Sequence, residues 1–220
     1  MKQKVKKIIQ NKKNLAENEV KDLLKEYNIK TTNYQLIKDE KDIKNLQLDF
    51  PVALKVCSSE ILHKTDVGGV KLNISSKNEL KKHVKQFKEK FPDENLLVDE
   101  MVDSGVEVIT GLTQDPTFGL TIMVGVGGIY TELYEDVSFR VVPIEEYDAY
   151  EMLDEIKGKK LLEGFRGIKA DKQQVINLLL KISDLGEELI EHVDEMDLNP
   201  VFIYEDDYCV VDAKMVLQEN

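Results

Sequence analysis

Arginine is almost absent from this chain. Of its 30 basic residues only Arg140 and Arg166 are arginine, and the rest are lysine. In a chain that uses lysine by default, an arginine marks a place where a planar, bidentate fork is needed, at a phosphate or a buried carboxylate. Basic residues are also outnumbered by 42 acidic ones, and the net charge of −12 argues against nucleic acid and anionic lipid as partners. Cysteine is scarce. Cys57 and Cys209 both lie in apolar runs with no C-x-x-C or Cys/His cluster, which excludes a zinc site and reads as buried thiols of a cytosolic protein. Long apolar runs are missing, so no transmembrane helix is expected. The start, MKQKVKKIIQNKKN, lacks the apolar core of a secretory signal and the arginines of a mitochondrial presequence, and reads as a solvated basic tail. Two nucleotide signatures are absent as well. There is no G-x-x-x-x-G-K-[ST], and no G-x-G-x-x-G opens a helix, which argues against a Walker-type NTPase and a dinucleotide-binding domain.

What is present is an ordinary globular composition, 42% hydrophobic and 33% charged, over 220 residues. That length suits one large domain or two small ones sharing a site. The densest chemistry lies in SSEILHKTDVGGVKLNI, Ser58 to Ile74. An apolar run with Lys55 inside it (Pro51 to Cys57) leads in, and an alternating run (Val70 to Ile74) leads out. Between them His63, Lys64, Asp66, Gly68 and Gly69 fall within seven positions. Such a strand–loop–strand can turn backbone N–H groups toward an anion, with Lys55 and Lys64 adding charge and His63 a nucleophile. The plainer reading of Gly68-Gly69 is a hairpin turn.

Periodicity predicts helices over 18–27, 40–46, 77–90, 145–156, 159–163 and 171–192. Strands are predicted over 33–37, 51–57, 70–74, 96–102, 105–112, 121–125, 130–134, 138–142, 199–203 and 208–213. Mixed strands and helices with several hairpins fit α+β. The single internal boundary falls at 91–95, giving an N-terminal tail and helix (1–28), a small lobe (29–95) and a larger lobe (96–220).

Three further places carry chemistry. MDLNPVFIYEDDYCVVDAK reads as a hairpin. With its loop at 204–207, Asn199 falls opposite Asp212, and opposed residues of paired strands share a face about 5 Å apart. Two such oxygens are what Mg²⁺ takes from a protein while keeping waters and substrate phosphates. Glu100 interrupts the apolar strand at 96–102, and Glu107 the next one. Finally, Gly125, Gly127 and Gly128 sit between strands, where they permit tight packing, ahead of Glu132, Asp136 and Arg140.

The stretch from Lys55 through Ser58 or Ser59, His63, Lys64, Asp66, Gly68, Gly69 and Val70 resembles the ATP-grasp (beta) subunit of ADP-forming acyl-CoA synthetases. The resemblance runs from about Leu15 to Leu217, through Glu107, Asp115, Phe118-Gly119, the glycine cluster, GFRG (164–167), the D-x-N-P at Asp197–Pro200 and the V-D-A at Val211–Ala213. It implies an ATP-grasp fold, two α+β lobes enclosing a nucleotide cleft. It also implies that Lys55, Gly68, Gly69 and Val70 bind the nucleotide, with Lys55 and the glycine N–H groups at the phosphates, that the backbone at Glu100, Met101 and Val102 meets adenine, and that Glu107 lies in the nucleotide cleft. Asn199 and Asp212 would hold Mg²⁺, with Asp197 assisting. His63 would carry a phosphoryl group between a partner and ADP, Asp66 would orient its ring, and Arg140 would face the transferred group. The implied reaction converts acyl-CoA, ADP and phosphate into acid, CoA and ATP. The implied partner is a CoA-binding alpha subunit in an α2β2 assembly, located in the cytoplasm. Two other readings stay open, a succinyl-CoA synthetase-like beta subunit and a non-catalytic nucleotide-sensing module.

Overall fold

A computed structural model describes residues 1–127, 136–164 and 169–218. In chain order the helices are α1 (Gln3–Ile9), α2 (Glu17–Glu26), α3 (Lys77–Lys90), α4 (Glu146–Glu155) and α5 (Lys172–Glu188). The strands are β1 (Asn14–Leu15), β2 (Tyr34–Ile37), β3 (Val52–Cys57), β4 (Val70–Ile74), β5 (Asn95–Glu100), β6 (Val106–Asp115), β7 (Gly119–Val126), β8 (Val137–Val141), β9 (Val193–Ile203), β10 (Tyr208–Val210) and β11 (Ala213–Leu217). Asp42–Asn45 and Lys157–Glu163 are 3₁₀ turns. The strand expected at 130–134, Gly128, Glu132 and Arg166 lie outside the described residues.

The contacts divide the chain into two units. The smaller holds residues 16–19 and 32–103, and the larger 1–15, 20–31 and 104–220. The boundary therefore falls at 103/104 and not at 95/96 as the punctuation of Pro92 and Asp93 suggests. The reason is β5: it pairs with both β2 and β3, so its backbone hydrogen bonds tie it to the smaller sheet. Of the residues expected as a separate N-terminal tail and helix (1–28), 1–15 and 20–28 belong to the larger unit, where β1 pairs with β11, and 16–19 to the smaller.

The smaller unit is a four-stranded antiparallel sheet, β2-β5-β3-β4. All six residues of β3 are buried. Val52, Leu54 and Val56 face a core completed by Ile37, Ile74, Leu96, Val98 and, from α3, Leu80, Val84 and Phe87. Those three helix residues recur at the spacing of one helical face. The start of α3 is set by Ser76, whose Oγ accepts from Glu79 N at 3.3 Å, a cap of about 1 kcal/mol. The other face of β3 carries Ala53, Lys55 and Cys57, and the first turn of α2 lies on it. There Asn18 Oδ1 receives the Cys57 thiol at 3.1 Å, and burial pushes that thiol up to about 11.

The larger unit is a sheet in the order β1-β11-β9-β6-β7-β8, with β10 on β9. Helix α5 buries Val175, Ile176, Leu178, Leu179, Ile182 and Leu185 in its core. Fully burying each of these contributes about 1.5–3 kcal/mol. β9 begins six residues before the predicted Asn199, so the stretch 193–198 is strand where no element is predicted. Met196 and Leu198 are buried there, and pairing with β6 and β11 overrides the local ambiguity.

Candidate functional site

The β3–β4 hairpin in the smaller unit carries the densest chemistry. Lys55 projects from a central strand opposite Leu97 on one side and Val70 on the other. Asp99 stands two residues along β5 from Leu97, on the same face, so it forms a diagonal cross-strand pair with Lys55. Its Oδ2 lies 2.9 Å from Lys55 Nζ. Glu17 Oε1 lies 2.7 Å from the same ammonium. The second Glu17 oxygen, Oε2, pairs with Lys64 Nζ. The side chains of Lys55, Glu17 and Asp99 are 4%, 1% and 1% exposed, and that of Lys64 11%. Two ammonium and two carboxylate groups thus neutralise one another out of water, as buried charges must. Both lysines that the sequence offers to a phosphate are ion-paired within the protein.

The N–H groups of the glycine pair are both used inside the turn. Gly68 N–H donates to Thr65 O at 2.9 Å and Gly69 N–H to Lys64 O at 2.7 Å, so both donors close the turn. Gly68 takes φ +61°, and a Cβ on Gly69 would lie 2.5 Å from Val56 Cγ1. Val56 N–H in turn donates to Gly69 O at 2.8 Å, which staples the turn to β3. Gly68-Gly69 thus closes a hairpin turn. His63 is exposed just before this turn, and Asp66 is exposed within it. Among the described residues no hydrogen bond joins Asp66 to His63.

Glu100 ends β5 with its carboxylate on Asn33: Oε1 accepts the backbone N–H at 2.7 Å and Oε2 the side-chain amide at 3.0 Å. Glu100 and Met101 line a groove of about 860 Å³ in the smaller unit with Tyr34, Leu48 and Phe50. Val102 follows without regular pairing.

In the larger unit the closing hairpin has the predicted register. Ile203 pairs with Tyr208 and Leu198 with Ala213, and Asn199 N–H donates to Asp212 O at 3.2 Å. Asn199 and Asp212 are therefore directly opposed; Asn199 is exposed and Asp212 half-buried. Asp212 Oδ1 accepts from Ala213 N at 2.8 Å. One carboxylate and one carboxamide are hard oxygen donors, and this donor set fits Mg²⁺.

Glu107 is exposed on β6 opposite Phe202, and its carbonyl accepts Gly127 N–H at 2.6 Å. A Cβ on Gly127 would lie 3.0 Å from that of Glu107, and one on Gly125 would lie 2.9 Å from Asp136 O, so both glycines serve packing as expected. Asp136 receives the N–H groups of Lys157 and Gly158, each at 2.8 Å. Arg140, on the edge strand β8, is paired with a carboxylate. Its Nη2 is 2.6 Å from Glu155 Oε1 and its Nη1 3.0 Å from Oε2, the bidentate carboxylate pairing that is the other use of an arginine fork. Together with the Ser138 hydroxyl it holds the Glu155 carboxyl down to about 2.

The residues that sequence reasoning missed are Glu17, Asp99, Asn33 and Glu155, each the partner of a residue that it named. Asp99 had a signal: within LLVDE it shares a face with Leu97, opposite Lys55. Among the described residues no cluster of three or more His, Cys, Asp or Glu could hold a metal. No described helix is long and apolar enough to cross a membrane.

Residues 6–217 match the ATP-grasp domain family. The beta subunit of Pyrococcus furiosus ADP-forming acetate–CoA ligase II is 42% identical over 93% of this chain and 92% of its own length. The Archaeoglobus fulgidus ADP-forming acetate–CoA ligase II is also 42% identical over 94% of this chain, which spans only 31% of that longer protein. Among solved structures, an acetyl-coenzyme A synthetase of Candidatus Korarchaeum cryptofilum is similar with a TM-score of 0.83 and 40% identity, over 97% of this chain and 100% of its own. That protein holds coenzyme A and Mg-AMPPCP, and its phosphohistidine segment points towards the nucleotide-binding site.

Proposed function

This chain belongs to the ATP-grasp family, and we propose that it is the nucleotide-binding beta subunit of an ADP-forming acid–CoA ligase, acetate being the first acid to test. The observation that carries the reading is the exposed His63 at the root of a stapled hairpin turn, in a chain that matches a separately encoded beta subunit almost end to end. The imidazole of His63 accepts a phosphoryl group and passes it to ADP. In the ATP-to-histidine direction a P–N bond forms as the bond from the γ-phosphorus to the ADP oxygen breaks, and the ring releases its proton. Asn199 and Asp212 would hold Mg²⁺, which when bound supplies charge neutralisation at the phosphates.

The adenine is assigned to the backbone at Glu100–Val102, with Glu107 as a further nucleotide contact. Lys55, Gly68 and Gly69 are assigned to the phosphates, and Val70 to the nucleotide beside them. For Lys55 this requires the nucleotide to compete with Glu17 or Asp99 for its ammonium. The same holds for Arg140 and Glu155 if the guanidinium is to meet the transferred group. Asp66 orients the His63 ring once the site is loaded. The partner is a CoA-binding alpha subunit, in an α2β2 assembly in the cytoplasm. The Archaeoglobus relative, of which this chain spans a third, supports a division in which the rest of the reaction lies on other sequence.

The test is labelling with Mg-[γ-³²P]ATP. Acid-labile label is expected on the wild type, His83→Ala and His192→Ala, and none on His63→Ala. Label that persists in His63→Ala places the carrier elsewhere. Nucleotide affinity is expected to survive the His63→Ala change.

A further inference from the structure

Glu17 bridges the two cations of the hairpin, and nothing in the sequence singled it out. Each of its carboxylate oxygens serves a different lysine, Oε1 the Lys55 ammonium on β3 and Oε2 the Lys64 ammonium in the loop. The side chain is 1% exposed, so these charge-assisted bonds face little competition from water. Lys64 is thereby held at two points. Its side chain is gripped by Glu17. Its carbonyl receives Gly69 N–H, and Gly69 O is stapled to β3 by Val56 N–H. His63 is the neighbouring residue and is exposed. Glu17 is itself fixed in the first turn of α2, where Glu19 Oε2 caps Ala16 N at 3.1 Å and Asn18 bonds Cys57 of β3.

We propose that Glu17 is a positioning residue for His63: by tying Lys64 to Lys55 it sets where the imidazole leaves the loop. The positions of nucleophile and phosphorus matter steeply for phosphoryl transfer, so a loosened loop slows the step without removing any group that performs it. The anchoring itself stands on the geometry of the smaller unit. Its consequence for catalysis rests on the phosphohistidine reading above, and the two are tested by separate measurements.

The amides of Gly68 and Gly69, both hydrogen-bonded inside the turn, report on the anchor directly. Hydrogen exchange on the full chain is measured for wild type, Glu17→Gln, Lys64→Met and the double variant. Each single change is expected to speed exchange of the 63–69 segment by about tenfold, the size of a lost charge-assisted bond, with α5 unchanged. The double variant is expected to exchange no faster than the faster single one, because both remove the same link. Lys64→Arg is expected to restore protection. Unchanged exchange in both single variants, or multiplied effects in the double, overturns the anchor. Lys64→Met leaves the Lys55–Glu17–Asp99 pairing in place and separates positioning from binding. Its single-turnover labelling of His63 is expected to fall about tenfold at saturating Mg-ATP, with the nucleotide Kd within about twofold of wild type. A loosened loop with an unchanged labelling rate overturns the positioning role. A wild-type chain that takes no label at all, while the exchange results hold, sinks the phosphohistidine reading and leaves the anchor in place.

Discussion

The two hairpins to which the proposed chemistry is assigned are built on opposite plans. β9–β10 turns through four residues, and its backbone ladder alone sets Asn199 against Asp212. β3–β4 turns through the twelve residues 58–69, too many for the ladder to place each side chain. Its geometry comes from side chains instead: Glu17 on Lys64 and Lys55, Asp99 on Lys55, and the glycine pair against Val56. A short turn specifies position through the backbone, whereas a long one needs contacts from elsewhere in the chain.

The comparison breaks most easily at Asp99. Asp99→Asn leaves Lys55 buried with one carboxylate fewer and is expected to destabilise the smaller unit by about 3–5 kcal/mol in urea unfolding. Asp212→Ala, on the ladder-built hairpin, is expected to cost less than about 1 kcal/mol of stability, since the residue is half exposed. It should nevertheless weaken Mg-nucleotide binding by about tenfold or more, read by calorimetry with and without Mg²⁺. An equal stability loss at both positions would erase the distinction drawn here. Next comes Gly69→Ala. A methyl 2.5 Å from Val56 Cγ1 must push the turn off β3, an expected loss of about 1–3 kcal/mol in thermal unfolding.

The smallest effect concerns the exposed pair Arg140–Glu155. The Glu155 carboxyl is held down from 4.5 to about 2, first by Arg140 and then by Ser138. A depressed carboxyl contributes its stability in full above its unfolded value and loses it as pH falls through its folded value. The contribution is therefore complete above about pH 4.5 and gone below about pH 2. Glu155→Gln should flatten the acid limb of the stability curve in that window by no more than about 1 kcal/mol, because solvent screens the pair. An unchanged acid limb would show that the pair adds nothing measurable.

Much of this was legible beforehand. Helix α3 occupies the predicted 77–90, because Leu80, Val84 and Phe87 mark one face and Ser76 the start. The 199/212 register followed from counting outward from the turn. The boundary was misplaced because Pro92 and Asp93 punctuate the chain locally, while β5 is claimed by β2 and β3 through hydrogen bonds to residues far away in sequence. That the Thr65 and Lys64 carbonyls accept the N–H groups of the glycine pair is not readable locally, because it depends on how the whole loop folds. The acceptor on Arg140 is Glu155, a half-exposed carboxylate from another element and not the phosphate or buried carboxylate that the scarcity of arginine suggests.

Local spacing by itself decided where α3 and the β3 and β4 strands run, which face of α3 meets the core, and that His63, Lys64 and the glycines share one loop. Each of these depends on neighbours within a turn or two of backbone. Only the folded chain decided which carboxylate neutralises which cation. Glu17 stands 38 residues from Lys55 and 47 from Lys64, and charge pairing depends on distance through space and on burial, neither of which is written in residue order.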